Sequence, residues 1–298
     1  MVGIAFDNFS GNTGDEAIGI SVKGILNSLH CDYLELYAGS DTGRYETILI
    51  GGGHLLRELS INSEYNQFRI KGRHILNAMG IHGQPTDLDY LSEYKYVSVR
   101  SMGDRNKIQY ISNVSIVPCT TLLLEDKPGT GFRVKSNSIG IHIYPETFTE
   151  SEMDRFVQWC SQLIQQGFTL YFIPITLYRS DHTVFTPIVK RIGEGCFLVP
   201  NMGSREIFTV IGKFDCMISY SLHGAIFAYA HNVPFFLANV YEKNQFFMED
   251  RGLMSGMFNT IYELMDRFEV SKKTDYSELL ILDHKKLQEH IYILKSLI

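Results

Sequence analysis

Residues 218–236 read ISYSLHGAIFAYAHNVPFF. Two apolar runs are separated by a polar cluster of Ser219, Tyr220, Ser221 and His223. The run before it, Phe214 to Ile218, has the length and composition of a buried strand. The run after it, Gly224 to Ala230, is small and apolar enough for a packed helix, which Asn232, Val233 and Pro234 then stop. The stretch therefore reads strand, tight turn, helix, with His223 in the turn near the helix N-terminus. In an open α/β sheet that edge is where ligands bind. Taken alone, a histidine in a turn is more often a capping or core residue than a catalyst.

Working outward, the same alternation recurs along the chain. Val2–Phe6, Tyr33–Tyr37, Thr47–Ile50, Tyr96–Val99 and Val114–Val117 read as strands, with helices over Asp15–Leu29 and Tyr65–Met79. Residues 125–137, EDKPGTGFRVKSN, are polar and rich in Gly, Lys and Ser, as a linker is. A second series follows. Ser138–Ile143, Phe168–Ile173 and Cys196–Val199 read as strands; Glu150–Gln166, His182–Ile192 and Ser204–Ile211 read as helices. Apolar residues at helical spacing over Ser277–Ile298 predict a packed C-terminal helix. Strands alternating with helices imply a mostly parallel sheet covered on both faces. The expectation is an α/β protein with an N-terminal domain over residues 1–125 and a C-terminal domain over residues 136–298. Two such domains would present ligand-contacting turns to a central cleft.

A chain of 298 residues suits two domains of ordinary size. Its formal net charge of -6 argues against general binding to nucleic acid or to an anionic membrane, since phosphates attract a basic surface. The opening MVGIAF lacks a signal-peptide pattern, and no apolar run approaches the length that crosses a bilayer. Cys31, Cys119, Cys160, Cys196 and Cys216 are widely spaced and form no CxxC, as in a reduced, cytoplasmic protein.

Other motifs could carry chemistry. Gly11-Asn12-Thr13-Gly14-Asp15-Glu16 joins a strand to a helix whose N-terminus offers free N–H groups, a setting for phosphate or carboxylate. It equally reads as a tight turn with Asp15 as a cap. Gly51-Gly52-Gly53-His54 again exposes backbone N–H groups after a strand, or makes a sharp crossover turn. Arg100 closes a strand, and its planar fork suits a carboxylate or phosphate, though a surface salt bridge is the common alternative. Phe172–Thr176 with Ser180 and Asp181 reads as a strand ending in a proline turn. Lys243, after the strand Phe235–Ala238, either takes a ligand or lies at the surface. HExxH, Cys/His clusters and GxSxG are all absent, so no metal site and no hydrolase elbow is expected.

Taken in order, GNTGDEAI (11–18), ILIGGGHLL (48–56), VSVRS (97–101), FIPIT with SD after it (172–181), SLHGAIFAYAHNVPF (221–235) and YEKN (241–244) resemble the polysaccharide pyruvyl transferase family. The resemblance implies two Rossmann-like domains of the GT-B type with the active site between them, the glycine loops and acceptor side on residues 1–125 and the His223 turn and donor side on residues 136–298. It implies transfer of a pyruvyl group from phosphoenolpyruvate onto two sugar hydroxyls, giving a cyclic ketal and free phosphate. Phosphoenolpyruvate is then a substrate, no cofactor is needed, and the partner is a glycan or lipid-linked sugar, with peripheral membrane association allowed. His223 would be the general acid. Asn12, Gly14, Asp15, Gly52, Gly53, Arg100, Ser221, Leu222 and Lys243 would bind substrate. Two positions depart from the pattern: Cys119 follows Pro118 where members often carry an acidic residue, and Ser221 stands where many carry arginine. A nucleotide-sugar glycosyltransferase of the same architecture and a non-catalytic glycan-binding relative remain alternatives.

Overall fold

Among the described residues, every strand of the computed structural model pairs in parallel, in two sheets of six strands. The structure describes residues 1–59, 63–271 and 273–298. The chain divides into two units. The first comprises Met1–Ser10, Asp15–Leu124 and Ile281–Ile298; the second comprises Gly11–Gly14 and Glu125–Leu280.

The first unit is built from β1 (Val2–Ala5), α1 (Thr13–Ser28, its first two residues in the second unit), β2 (Tyr33–Glu35), β3 (Ile48–Gly51), β4 (Ile75–Met79), β5 (Tyr96–Val99), α2 (Met102–Lys107) and β6 (Val114–Ile116). Its strand order is β2-β1-β3-β4-β5-β6. β1, β3 and β4 are buried at every position, as strands covered on both faces must be. Around them Ile48, Ile50, Leu76, Val97 and Val99 form a core with Leu88, Leu91 and Ile108.

The helix expected over Tyr65–Met79 does not form. A short 3-10 turn, Glu64–Phe68, precedes β4 instead, which pairs with β3 at Leu49↔Ile75 and with β5 at Ile75↔Tyr96. Apolar residues at Tyr65, Phe68 and Ile70 mimic helical spacing. Gly72, at φ 127°, breaks the segment, and the run ILNAM after it is short enough to be a central strand.

The second unit runs β7 (Ser138–His142), α3 (Glu150–Gln165), β8 (Thr169–Phe172), α4 (Asp181–Ile192), β9 (Cys196–Leu198), α5 (Ser204–Ile211), β10 (Cys216–Ser219), α6 (Leu222–Ala230), β11 (Phe235–Ala238), α7 (Glu242–Glu249), β12 (Met257–Phe258) and α8 (Ile261–Ser271). The order is β12-β11-β10-β7-β8-β9. Thr149 and Glu152 close a reciprocal capping box that starts α3, whose apolar stripe of Met153, Phe156, Trp159 and Leu163 enters the core. α6 is buried from Leu222 to Tyr229, so it is small and apolar all round rather than amphipathic. Residues 125–137 do not run free: Asp126 meets His231, and the Lys127 N–H donates to Thr209 Oγ1 at 2.8 Å.

α9 (Ser277–Leu297) is the expected C-terminal helix. Although the sequence assigned residues 136–298 to one domain, Ile281–Ile298 groups with the first unit. There α9 buries Asp283, Leu287, His290 and Leu294, one face of a helix. His290 Nε2 lies 2.6 Å from Asn77 Oδ1 on β4, and burial lowers the imidazole to about 4. It is therefore a neutral core residue that ties α9 to the sheet. No helix among the described residues is long and apolar enough to cross a membrane.

Candidate active site

In a parallel sheet the crevice forms where two neighbouring strands lead the chain in opposite directions. In the second unit that point lies between β7 and β10, because β8 and β9 extend one way and β11 and β12 the other. The turn after β10 is the SLHG turn. In the first unit the point lies between β1 and β3, with β2 on the far side of β1. The turns there are Asp7–Ser10 and Gly51-Gly52-Gly53-His54, while Gly11–Gly14 group with the second unit. Both glycine motifs and the histidine turn thus lie where each sheet's topology opens a ligand crevice.

In the second unit, Ser219 ends β10 and its hydroxyl donates to the Ser221 carbonyl at 2.7 Å, folding the turn tightly. Ser221 is the helix-capping position of α6, with no cap bond from its side chain. Leu222 is buried, anchoring the first turn. Gly224 has no alternative: a Cβ there would stand 2.3 Å from Ser219 Oγ. His223 is 6% exposed, with its ring near Phe227. Gly14 packs directly on that ring, since a Cβ on Gly14 would lie 1.8 Å from His223 Nδ1. Asn12 shapes the loop that brings Gly14 there: its Oδ1 accepts the Gly14 N–H at 2.9 Å, and its backbone bridges to Thr176. The structure thus brings Asn12, Gly14, Ser221, Leu222 and His223 together. Lys243 lies in the first turn of α7, after β11, with Nζ 5.0 Å from the Tyr241 ring centre.

Under this turn lies a network that sequence reasoning missed. Asp181, fully buried at the start of α4, accepts from the Ile175 and Thr176 N–H groups at 2.8 and 2.6 Å, from His142 Nε2 at 3.0 Å, and from the Tyr144 hydroxyl. Burial opposes its charge, but the bonds from His142, Tyr144 and Thr176 win and hold its carboxyl below the usual carboxylate range. The carboxylate accepts the Nε2 proton and so sets the tautomer of His142. The FIPIT…SD motif pointed here. His142 read only as the end of a strand, and nothing local in the sequence pairs it with a residue 39 positions away.

In the first unit, Gly52 and Gly53 take φ 59° and 71°, a conformation that suits glycine. Asp15 lies against this loop: a Cβ on Gly53 would be 2.5 Å from Asp15 Oδ1. Arg100, at the end of β5, is buried rather than a surface salt bridge. Its Nε lies 3.9 Å from Asp104 Oδ2, and its Nη2 has no hydrogen-bond partner among the described residues. Asp104 instead spends its carboxylate on the Ile81 N–H at 2.8 Å and the Ser101 hydroxyl at 2.5 Å. Burial raises the Asp104 carboxyl despite Arg100 and these bonds. The guanidinium also crowds Gly80, where a Cβ would be 2.4 Å from Nη2 and 2.5 Å from the His54 ring. Asp104, four residues from Arg100, was legible as an i,i+4 partner but was not singled out. Asp15, Gly52, Gly53 and Arg100 therefore belong to this second grouping of expected site residues.

Two parallel sheets carrying glycine and histidine turns at their crevices define a two-domain α/β protein of the GT-B type. UDP-GlcNAc 2-epimerase from Methanocaldococcus jannaschii shares this fold at a TM-score of 0.56 and 8% identity, covering 92% of each chain. ADP-heptose lipopolysaccharide heptosyltransferase II from E. coli shares it at a TM-score of 0.51 and 11% identity, covering 91% of this chain and 98% of that one. At such identities the likeness is one of fold. No curated protein is matched in sequence. The profile of the polysaccharide pyruvyl transferase family matches residues 12–240, and the chain belongs to that family.

Proposed function

We propose that the protein transfers a pyruvyl group from phosphoenolpyruvate to two hydroxyls of a glycan sugar, forming a cyclic ketal and releasing phosphate. The supporting observation is His223. It opens α6 at the β7/β10 crevice, packed on the Gly14 loop, inside the region that matches the family. Its Nδ1 is turned to Gly14 and its Nε2 is buried, so the imidazole is held in one orientation.

Protonation of the donor's methylene carbon makes a methyl group and leaves a cation-like carbon at C2. One sugar hydroxyl attacks C2 and loses its proton. Phosphate then leaves, C2 is again electron-poor, and the second hydroxyl closes the ring with loss of its proton. Of the two hydroxyl protons, one restores the proton that the acid gave and one leaves with phosphate. Arg100, buried with a free N–H, is suited to a substrate carboxylate or phosphate. Asp15, Gly52 and Gly53 shape the loop of the first unit that approaches ligand; Asn12, Gly14, Ser221 and Leu222 shape that of the second; Lys243 adds a cation. The described cysteines are all free, which supports a reducing, cytoplasmic setting.

The test is donor choice. Phosphoenolpyruvate should raise the unfolding midpoint and release phosphate in the presence of glycan, with a ketal methyl signal in the product. Protection by UDP- or ADP-sugars alone, with no phosphate release, would replace this reading by a glycosyltransferase.

A further inference from the structure

We propose that the second unit carries a sugar-ring subsite built on Tyr241, backed by Tyr220 and Tyr144 and flanked by the Arg179–Glu146 pair. The proposal rests on the reading above, in that the ring bound there is the acceptor's.

The residues come from four different strand ends of one sheet. Tyr144 follows β7, Arg179 follows β8, Tyr220 follows β10 and Tyr241 follows β11. Parallel strands bring all four to the same sheet edge, the one that holds the SLHG turn. The three rings form a chain of edge-to-face contacts. Tyr144 and Tyr220 meet at 4.8 Å and 87°, and Tyr220 and Tyr241 at 5.7 Å and 90°. Burial falls away along it: Tyr144 and Tyr220 are 2% and 6% exposed, Tyr241 40%. The two inner rings therefore hold the outer one rigid while leaving part of it open.

Beside the rings stands a donor fork next to an acceptor. Arg179 stacks on Tyr144, its guanidinium carbon 3.9 Å from the ring centre, and pairs with the half-exposed Glu146 carboxylate. Guanidinium N–H groups donate to hydroxyl oxygens, and a carboxylate accepts hydroxyl protons. Together they match neighbouring hydroxyls on a pyranose, while a partly exposed aromatic ring takes its C–H face. The charges select against an anion. Arg179 is neutralised by its pair with Glu146. A neutral, polyhydroxylated ring fits that balance better than a phosphate does.

The test is saturation-transfer NMR on the full chain with methyl glycosides of galactose, glucose, mannose and N-acetylglucosamine, and with UDP as the competing probe. Neither phosphoenolpyruvate nor turnover enters, so the outcome is independent of the donor reading. At least one glycoside should receive saturation at its ring protons. Tyr241→Ala should weaken that glycoside about tenfold or more, Tyr241→Phe should keep most of the affinity, and Glu146→Gln should weaken it while the unfolding midpoint stays unchanged. Silence from every glycoside, binding indifferent to Tyr241→Ala, or a Tyr241-dependent signal from UDP alone would overturn the subsite.

Discussion

Each unit buries a carboxylate beside its candidate site, and the two are driven in opposite directions. Asp104, in the first turn of α2, is pushed above the usual carboxylate range by burial; Asp181, at the start of α4, is held below it. Burial alone cannot explain this, since Asp104 is 1% exposed and Asp181 0%. The difference lies in donors. Asp181 receives two backbone N–H groups, an imidazole and a phenol, enough to outweigh desolvation. Asp104 receives one backbone N–H and a hydroxyl, and the nearby guanidinium stands off at 3.9 Å. The Asp181 carboxylate is therefore satisfied by residues of its own unit. In the first unit, Arg100 Nη2 is buried without a hydrogen-bond partner among the described residues.

The largest expected effect is on Asp181. Asp181→Ala leaves the Ile175 and Thr176 N–H groups buried without an acceptor, which should cost about 2–6 kcal/mol at about 1–3 for each group. The two carboxylates should also leave opposite marks on acid titration. Asp181, lowered in the fold, adds stability that is present above its unfolded value near 3.8 and is lost as pH falls through the folded one. Asp104, raised, costs stability above its folded value, and that cost fades as pH falls toward 3.8. Urea midpoints of Asp181→Asn and Asp104→Asn against pH read both signs. Matching signs would break the comparison.

His290 sharpens the picture of the first unit. Its imidazole goes from 6.5 unfolded to about 4 folded. Stability should be full above pH 6.5 and fall by about 3 kcal/mol as pH drops to 4, because only the unfolded chain takes up the proton. His290→Gln should flatten that fall; an unchanged slope in the variant would remove His290 from the account.

Gly14→Val comes next, with an expected loss of about 1–3 kcal/mol from forcing a side chain into the His223 ring. Turnover should drop with it, and a variant of full stability and activity would mean that the loop does not hold the ring. Arg100→Lys keeps the charge and loses the fork. It should weaken phosphoenolpyruvate binding about tenfold with little change in unfolding midpoint. Equal affinity in the two proteins would end the assignment of an anion to Arg100.

The strand-turn-helix around His223 was legible because apolar runs, a polar turn and Pro234 are local signals. So were the glycine loops. β4 was not, because ILNAM follows residues that imitate helical spacing, and its buried strand partners lie far along the chain. The grouping of α9 with the first unit was equally hidden: His290 meets Asn77 across 213 residues. The same limit applies at the site. Gly14 against His223, and His142 against Asp181, are contacts of tertiary structure with no short-range pattern. Arg100 was visible as an arginine at a strand end, but its burial and its lack of acceptors were not.

The central claim is that the SLHG turn exists to place a proton donor. It is tested most directly by His223→Ala, read in phosphate release from phosphoenolpyruvate, donor affinity and unfolding midpoint together. The account predicts turnover lower by roughly 10²–10⁴-fold, with donor affinity and midpoint close to wild type. Near-normal turnover, or a loss of activity that only follows a fall in folded protein, would contradict it.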